Sequence, residues 1–161
     1  MRLGGYRLEA YLALLAPLFV FIGAIWLLRL LLDALGAPLE LVKLFSVTVA
    51  SAISVLLSAV MIHTRGFGGF LQVVICATIL ALFSQTLITL SIIFAVVTGI
   101  PNIFVAPEFS LPIDPHHIRH IIGHMSFSIG AEVLLGSAMG SFLLWVLRII
   151  IPQRRSDRTH H

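Results

Sequence analysis

Charge is what this sequence has least of. Only 11% of its 161 residues are Asp, Glu, Lys or Arg, whereas an ordinary soluble domain carries about 25%. A soluble protein with so few charged side chains could not cover its own surface. This scarcity excludes a soluble globular enzyme, a disordered chain and a nucleic-acid-binding domain, so no nucleic acid partner is expected.

Cysteine and catalytic motifs are scarce as well. Cys76 is the one cysteine in the sequence, which excludes an intrachain disulfide and a CxxC redox pair. The sequence contains neither the GxSxG motif of serine hydrolases nor the HExxH motif of zinc proteases. These absences favour a protein that is not an enzyme.

Apolar sequence, by contrast, is abundant, at 59% hydrophobic residues and a mean hydropathy of +1.08. A bilayer core about 30 Å thick requires about 20 apolar residues in a helix. Four segments meet this requirement, over residues of about 10–32, 42–62, 71–98 and 121–151. Because a chain in lipid must satisfy its own backbone hydrogen bonds, each segment is predicted to be a helix. The predicted fold is an all-α four-helix transmembrane bundle, a single domain over residues 1–152 with a polar tail at 153–161.

The few basic residues predict the orientation of this bundle. Four spans place both termini on one side of the membrane, and that side holds seven of the ten Lys and Arg residues. The opposite side holds Arg29, Lys43 and Arg119. Since cytoplasmic loops are enriched in Lys and Arg, both termini and the tail are expected in the cytoplasm, as in a bacterial-type inner membrane. The stretch 100–115, with four prolines, is then a proline-rich outer loop between the third and fourth helices.

Small residues at four-residue spacing predict where helices approach closely. The second helix carries Ala50, Ser54 and Ser58, and the fourth carries Gly136 and Gly140 in a GxxxG motif. Such stripes allow transmembrane helices to pack at short distance. They are consistent with packing inside one bundle, and also with a homo-oligomer or a partner membrane subunit that contacts the fourth helix.

Glu132 is the acidic residue that lies deepest in a predicted span. A charged acid near the bilayer centre costs roughly 2.5–3.5 kcal/mol on insertion scales, so such residues are functional candidates by default. Gln85, near the middle of the third helix, also needs a partner in protein or water. Glu132 and Gln85 are therefore predicted to form an intramembrane polar site. It could serve proton-coupled transport, ion conduction or a polar ligand. Alternatively, a protonated Glu132 bonds to Gln85 or a second-helix serine and only joins helices.

Histidines cluster before and at the start of the fourth helix, at His116, His117, His120 and His124. At about 100° per residue, His117, His120 and His124 fall on one face, where imidazoles could bind a transition metal or a haem. The alternative is a set of histidines at the lipid headgroups, or pH-sensing groups. The run from His117 to His120 resembles, over four residues, the helices of haem- and quinone-binding membrane anchors of respiratory complexes, and no family is assigned on it.

Arg29 and Asp33 are four residues apart near the outer end of the first helix. This spacing predicts a local, solvated ion pair worth a few tenths of a kcal/mol. The alternative is that Arg29 contacts a lipid headgroup or another anionic ligand.

These features favour a small polytopic membrane protein that acts as a subunit, a scaffold or a small transporter through helix–helix assembly, with its polar site around Glu132. The main alternative is a metal- or haem-binding membrane protein. A weaker one is a lipid-binding or lipid-modifying protein that uses the outer loop.

Overall fold

The long apolar runs of the sequence form helices, and four helical segments are long and apolar enough to cross a membrane, as predicted. The structure is a computed structural model that describes residues 2–106 and 118–151. A two-stranded antiparallel hairpin, β1 (Arg2–Leu3) and β2 (Tyr6–Arg7), comes first. The helices follow as α1 (Leu8–Ala34), α2 (Leu39–Leu44), α3 (Val47–Arg65), α4 (Phe70–Thr98), α5 (Ile118–Gly123) and α6 (Ile129–Ile150).

The second predicted helix is divided into α2 and α3. The division arises at Ser46, whose Oγ accepts a hydrogen bond from the Val49 backbone N–H at 3.4 Å and so caps the start of α3. At its other end α3 stops at Gly66, which adopts the left-handed conformation that glycine accommodates best. Capping by the sequence itself thus decides where this span bends and where it turns back.

The last helical run is continuous from Ile118 to Ile150 but not uniform. A π-helical turn, His124–Ser128, joins α5 to α6. Residues 107–117, which include most of the predicted proline-rich loop, lie outside the described residues, as does the predicted tail. The described part of the loop contains a 3₁₀ turn, Ile103–Val105, whose Asn102 side chain accepts from the Phe104 N–H at 3.0 Å.

The small-residue stripes lie at contacts between helices of this one chain. Ala50, Ser54 and Ser58 are buried on α3, and Gly136 and Gly140 are buried on α6. A Cβ atom added at Gly140 would lie 2.7 Å from Val73 Cγ1 and 3.1 Å from Val55 Cγ1. Both glycines therefore serve close packing of α6 against α3 and α4.

The outward-facing side chains are largely apolar. On α6 they include Leu134, Phe142 and Trp145, each more than half exposed. Such a surface would cause aggregation in water, whereas contact with lipid tails carries no free-energy penalty for apolar side chains. The polar side chains of Ser84 and Gln85, on α4, are buried instead.

Candidate functional site

A chain of hydrogen bonds joins α5, α6 and the π turn to the middle of α4. Gln85 Nε2 donates to Glu132 Oε2 at 2.8 Å. The other end of the same amide, Gln85 Oε1, lies 2.7 Å from His124 Nδ1, and His124 Nε2 lies 3.1 Å from His120 Nε2. We call the set His120, His124, Gln85, Glu132 and Ser84 the polar network. The structure therefore brings together Glu132 and Gln85, and adds to them two of the four candidate metal ligands.

The π turn explains why His124 and Glu132 reach the same amide. Eight residues separate them, so an uninterrupted α-helix at about 100° per residue would place them about 80° apart. A π turn accommodates one additional residue, which reduces that offset to about 20°. Both side chains then face α4, where Gln85 is only 1% exposed.

The direction of each hydrogen bond in the polar network follows from the amide. Because Gln85 Nε2 donates to the carboxylate, Gln85 Oε1 must accept from the His124 Nδ1–H. A neutral His124 then has a lone pair on Nε2, which accepts from the His120 Nε2–H. Glu132 thus determines, through Gln85, which nitrogen of His124 carries the proton.

Glu132 has suitable partners in both of its protonation states. Ser84 Oγ lies 3.1 Å and 3.2 Å from the two Glu132 oxygens and 3.0 Å from the Ala81 carbonyl oxygen. When the acid is ionised, the Ser84 hydroxyl donates to it. When the acid is protonated, it donates to Ser84 Oγ while the hydroxyl donates to Ala81 O. A proton can therefore be bound or released without leaving a buried group unpaired.

Ser54 and Ser58 of α3 do not take part in the polar network. Ser54 Oγ donates to Ala50 O at 2.8 Å, and Ser58 Oγ donates to Val55 O at 2.7 Å. Their hydroxyls are returned to their own helix, which is the inexpensive arrangement for serine in a membrane span. Of the partners considered for Glu132 from sequence, the structure shows Gln85 and adds Ser84.

A cavity of about 310 Å³ borders the polar network at the end of the bundle that contains α2. We call it the basic vestibule. Its polar lining residues are Arg29, Lys43, Ser46, Thr48, His120 and His124, and its apolar ones are Ile88, Ile103 and Phe104. His120 and His124 belong both to the vestibule and to the polar network, so the network connects this cavity with the carboxylate of Glu132.

Arg29 lies in the wall of the basic vestibule and not on a solvated surface. It is 8% exposed, and its guanidinium carbon is 4.9 Å from the centre of the Phe104 ring. Between described residues, the ion pair within 4 Å joins Lys43 and Glu40 at 3.2 Å. The solvated Arg29–Asp33 ion pair expected from sequence is thus wrong: Arg29 is buried with its guanidinium over Phe104, and Asp33 acts on it electrostatically from beyond 4 Å.

The histidine cluster is only partly described. His116 and His117 lie outside the described residues, and His120 and His124 meet through their Nε2 atoms. Within residues 2–106 and 118–151, no group of three or more His, Cys, Asp or Glu side chains is arranged to hold a metal ion. The described residues supply two ligands on one helical face.

Sequence reasoning did not find the basic vestibule as a site. Lys43 and Ser46 lie in and beside the short helix α2, and Thr48 lies in the first turn of α3. No periodicity connects them with Arg29 or His120. Only the packing of α1, α3 and the last helical run brings them around one cavity. The signal that existed was the position of Arg29, near the end of an apolar run and far from the other basic residues.

Comparison with known proteins does not add to this picture, because no family model, no curated protein and no solved structure matches the chain.

Proposed function

We propose that this chain is a small membrane transport protein, or the transport subunit of a larger membrane assembly, and that Glu132 is its proton-binding group. The observation that carries the proposal is the hydrogen bonding around Glu132, which is complete both with and without the proton. A carboxyl group whose only role were to join two helices would not require partners for both states.

The connection with the basic vestibule supports the same function. Transport requires that a buried group be reachable from one side of the membrane. His124 lies in the vestibule wall and is bonded to Gln85, which is bonded to Glu132. The titratable groups of the described residues that face this path are His120 and His124, with Arg29 and Lys43 across the vestibule. The polar network thus extends from a cavity to the middle of the bundle.

Replacing Glu132 with Gln tests the proposal. The purified protein is reconstituted in vesicles that contain a pH-sensitive dye. Proton entry is then followed after the outside solution is made more acidic than the vesicle interior. We expect wild-type vesicles to take up protons. The rate of proton uptake should be at least about tenfold lower in E132Q vesicles, because an amide of nearly the same shape cannot bind the proton. The matched control is Glu9→Gln, which removes an exposed acid in the first turn of α1 and should leave the rate unchanged.

Two results would count against proton transport. Equal rates in wild type and E132Q would show that Glu132 only joins α4 to α6. No flux above that of empty vesicles would leave a scaffold or a non-transporting subunit as the function.

One observation favours the alternative of metal binding. A metal-binding histidine usually donates its second ring N–H to an oxygen acceptor, which orients the ligating nitrogen. His124 has this arrangement, with Gln85 Oε1 as acceptor and Nε2 directed toward His120. Absence of proton flux, together with one transition metal per chain by elemental analysis, or a Soret band in the visible spectrum, would favour this function.

We also propose that both termini lie in the cytoplasm, on the basis of the Lys and Arg distribution. Labelling of introduced cysteines tests it with little background, because the native Cys76 is buried. Leu35→Cys, in the turn after α1, should react with an impermeant thiol reagent in intact cells. Thr64→Cys, at the opposite end of the bundle, should react only after permeabilisation. The reverse pattern would contradict the proposed orientation.

A further inference from the structure

The basic vestibule is lined by cationic side chains from two different helices. These side chains are Arg29 from α1 and Lys43 from α2, which are permanent cations. Among the described residues that line it, none is Asp or Glu. Ser46 and Thr48 add hydroxyl groups, which can donate hydrogen bonds to an oxygen of a ligand.

Arg29 is positioned as a group that recognises an anion would be. It comes from α1, its guanidinium is held against the Phe104 ring, and it remains at the cavity wall. A planar guanidinium presents paired N–H donors that match the two oxygens of a carboxylate or a phosphate. Such a fork is pre-organised when stacking on an aromatic ring restricts its motion.

Lys43 provides a second cation from a different element. Its Nζ is 3.2 Å from Glu40 Oε1, with the Glu40 side chain 87% exposed. An exposed pair of this kind contributes little to stability, so a ligand anion can replace Glu40 at little cost. Ser46 and Thr48 place the first turn of α3 at the same cavity, and the positive end of a helix dipole adds to the attraction for an anion.

From this arrangement we propose that the basic vestibule binds an oxyanion, a carboxylate or phosphate group, between Arg29 and Lys43. The inference deepens the proposed transport function, on which it rests, by naming the class of ligand. The group can belong to a small soluble anion or to the headgroup of an anionic lipid. A larger apolar cavity of about 1080 Å³, lined by Trp26, Leu87 and Phe94 among others, shares Ile103 with the vestibule and would accommodate the acyl chain of a lipid.

Thermal unfolding in detergent tests the binding and identifies the source. One arm titrates inorganic phosphate, and the other adds phosphatidylglycerol or, for comparison, phosphatidylcholine to the micelles. We expect phosphate or phosphatidylglycerol to raise Tm, and phosphatidylcholine not to. Lys43→Gln should weaken binding of whichever ligand raises Tm by about tenfold, as expected for loss of one charge-assisted hydrogen bond. Arg29→Gln removes a buried group and can prevent folding, so Arg29→Lys is the second variant, which keeps the charge but loses the fork.

The control is Arg65→Gln, which removes one exposed positive charge at the opposite end of the bundle. A shift with phosphate alone assigns a soluble anion, and a shift with phosphatidylglycerol alone assigns a lipid headgroup. No shift with either ligand, or equal weakening in R65Q and K43Q, would overturn the proposal. E132Q should keep the shift, because Glu132 does not line the vestibule. The two proposals can therefore fail separately. If E132Q leaves proton flux unchanged while anion binding persists, the proton-binding role of Glu132 is refuted and anion binding in the vestibule is not.

Discussion

Substituting Gln85 with Leu is expected to lower the free energy of unfolding by about 2 kcal/mol. Leu is similar in size but can neither donate to Glu132 nor accept from His124. Two interhelical hydrogen bonds of 2.8 Å and 2.7 Å are lost. A buried polar group left without a partner costs about 1–3 kcal/mol, although interhelical hydrogen bonds in membranes average about 0.6 kcal/mol. Unfolding by SDS titration in mixed micelles measures the change.

The adjacent Thr86 supplies the control for this substitution. Thr86 is exposed, and its hydroxyl donates to Leu82 O in its own helix at 2.6 Å. Thr86→Val therefore removes a polar group from the same turn of α4 without touching the polar network, and its effect should stay within about 0.5 kcal/mol. If Q85L and T86V are equally stable, the polar network does not hold α4 to the last helical run.

Replacing Gly140 with Ala is expected to destabilise the bundle by about 1–3 kcal/mol, the usual cost of adding a methyl group to a closely packed interface. The new Cβ would lie 2.7 Å from Val73 Cγ1. Valine is stiff about χ1, so it cannot rotate away without disturbing its neighbours. Either α6 moves outward or Val73 leaves its preferred rotamer. The same SDS titration reports the loss.

Gly130, in the first turn of α6, is the matched control for Gly140. A Cβ atom added there has no atom within 4 Å, so Gly130→Ala should be neutral or stabilise by up to about 1 kcal/mol through helix propensity. The two substitutions are thus expected to differ in sign. Equal effects would indicate that α6 is not packed as described. A change in oligomeric state at unchanged stability would indicate that the glycines serve contact between chains.

The helices themselves could be predicted closely because their cause is local. Runs of about 20 apolar residues have few alternatives to a helix in lipid, and the predicted span of 71–98 corresponds to α4 at Phe70–Thr98. The division of the second span at Ser46 was not predicted, although serine is a favoured N-cap. Within a run of hydrophobic residues, the hydropathy of the whole segment hides the signal of a single capping serine.

The polar network could be predicted only in part. Glu132 and Gln85 are conspicuous because each is polar within an apolar run, and that logic needs no structure. The involvement of His124 depends on the π turn at His124–Ser128, which changes the direction in which every later side chain of the helix points. A constant 100° per residue misses such a turn, so the sequence pattern alone does not place Glu132 on the same face as His124.

The sequence alone determined the number of membrane-length helices, because hydrophobicity acts on each segment independently of the others. It also determined which polar residues had to find partners, since a polar group in lipid has no water to bond with. Only the tertiary structure decided which partners these are. Arg29, Lys43 and His124 are distant in the chain and lie around one cavity, because helix packing and one extra residue in a turn set their facing. Contacts of this kind depend on all the helices at once, and no local pattern encodes them.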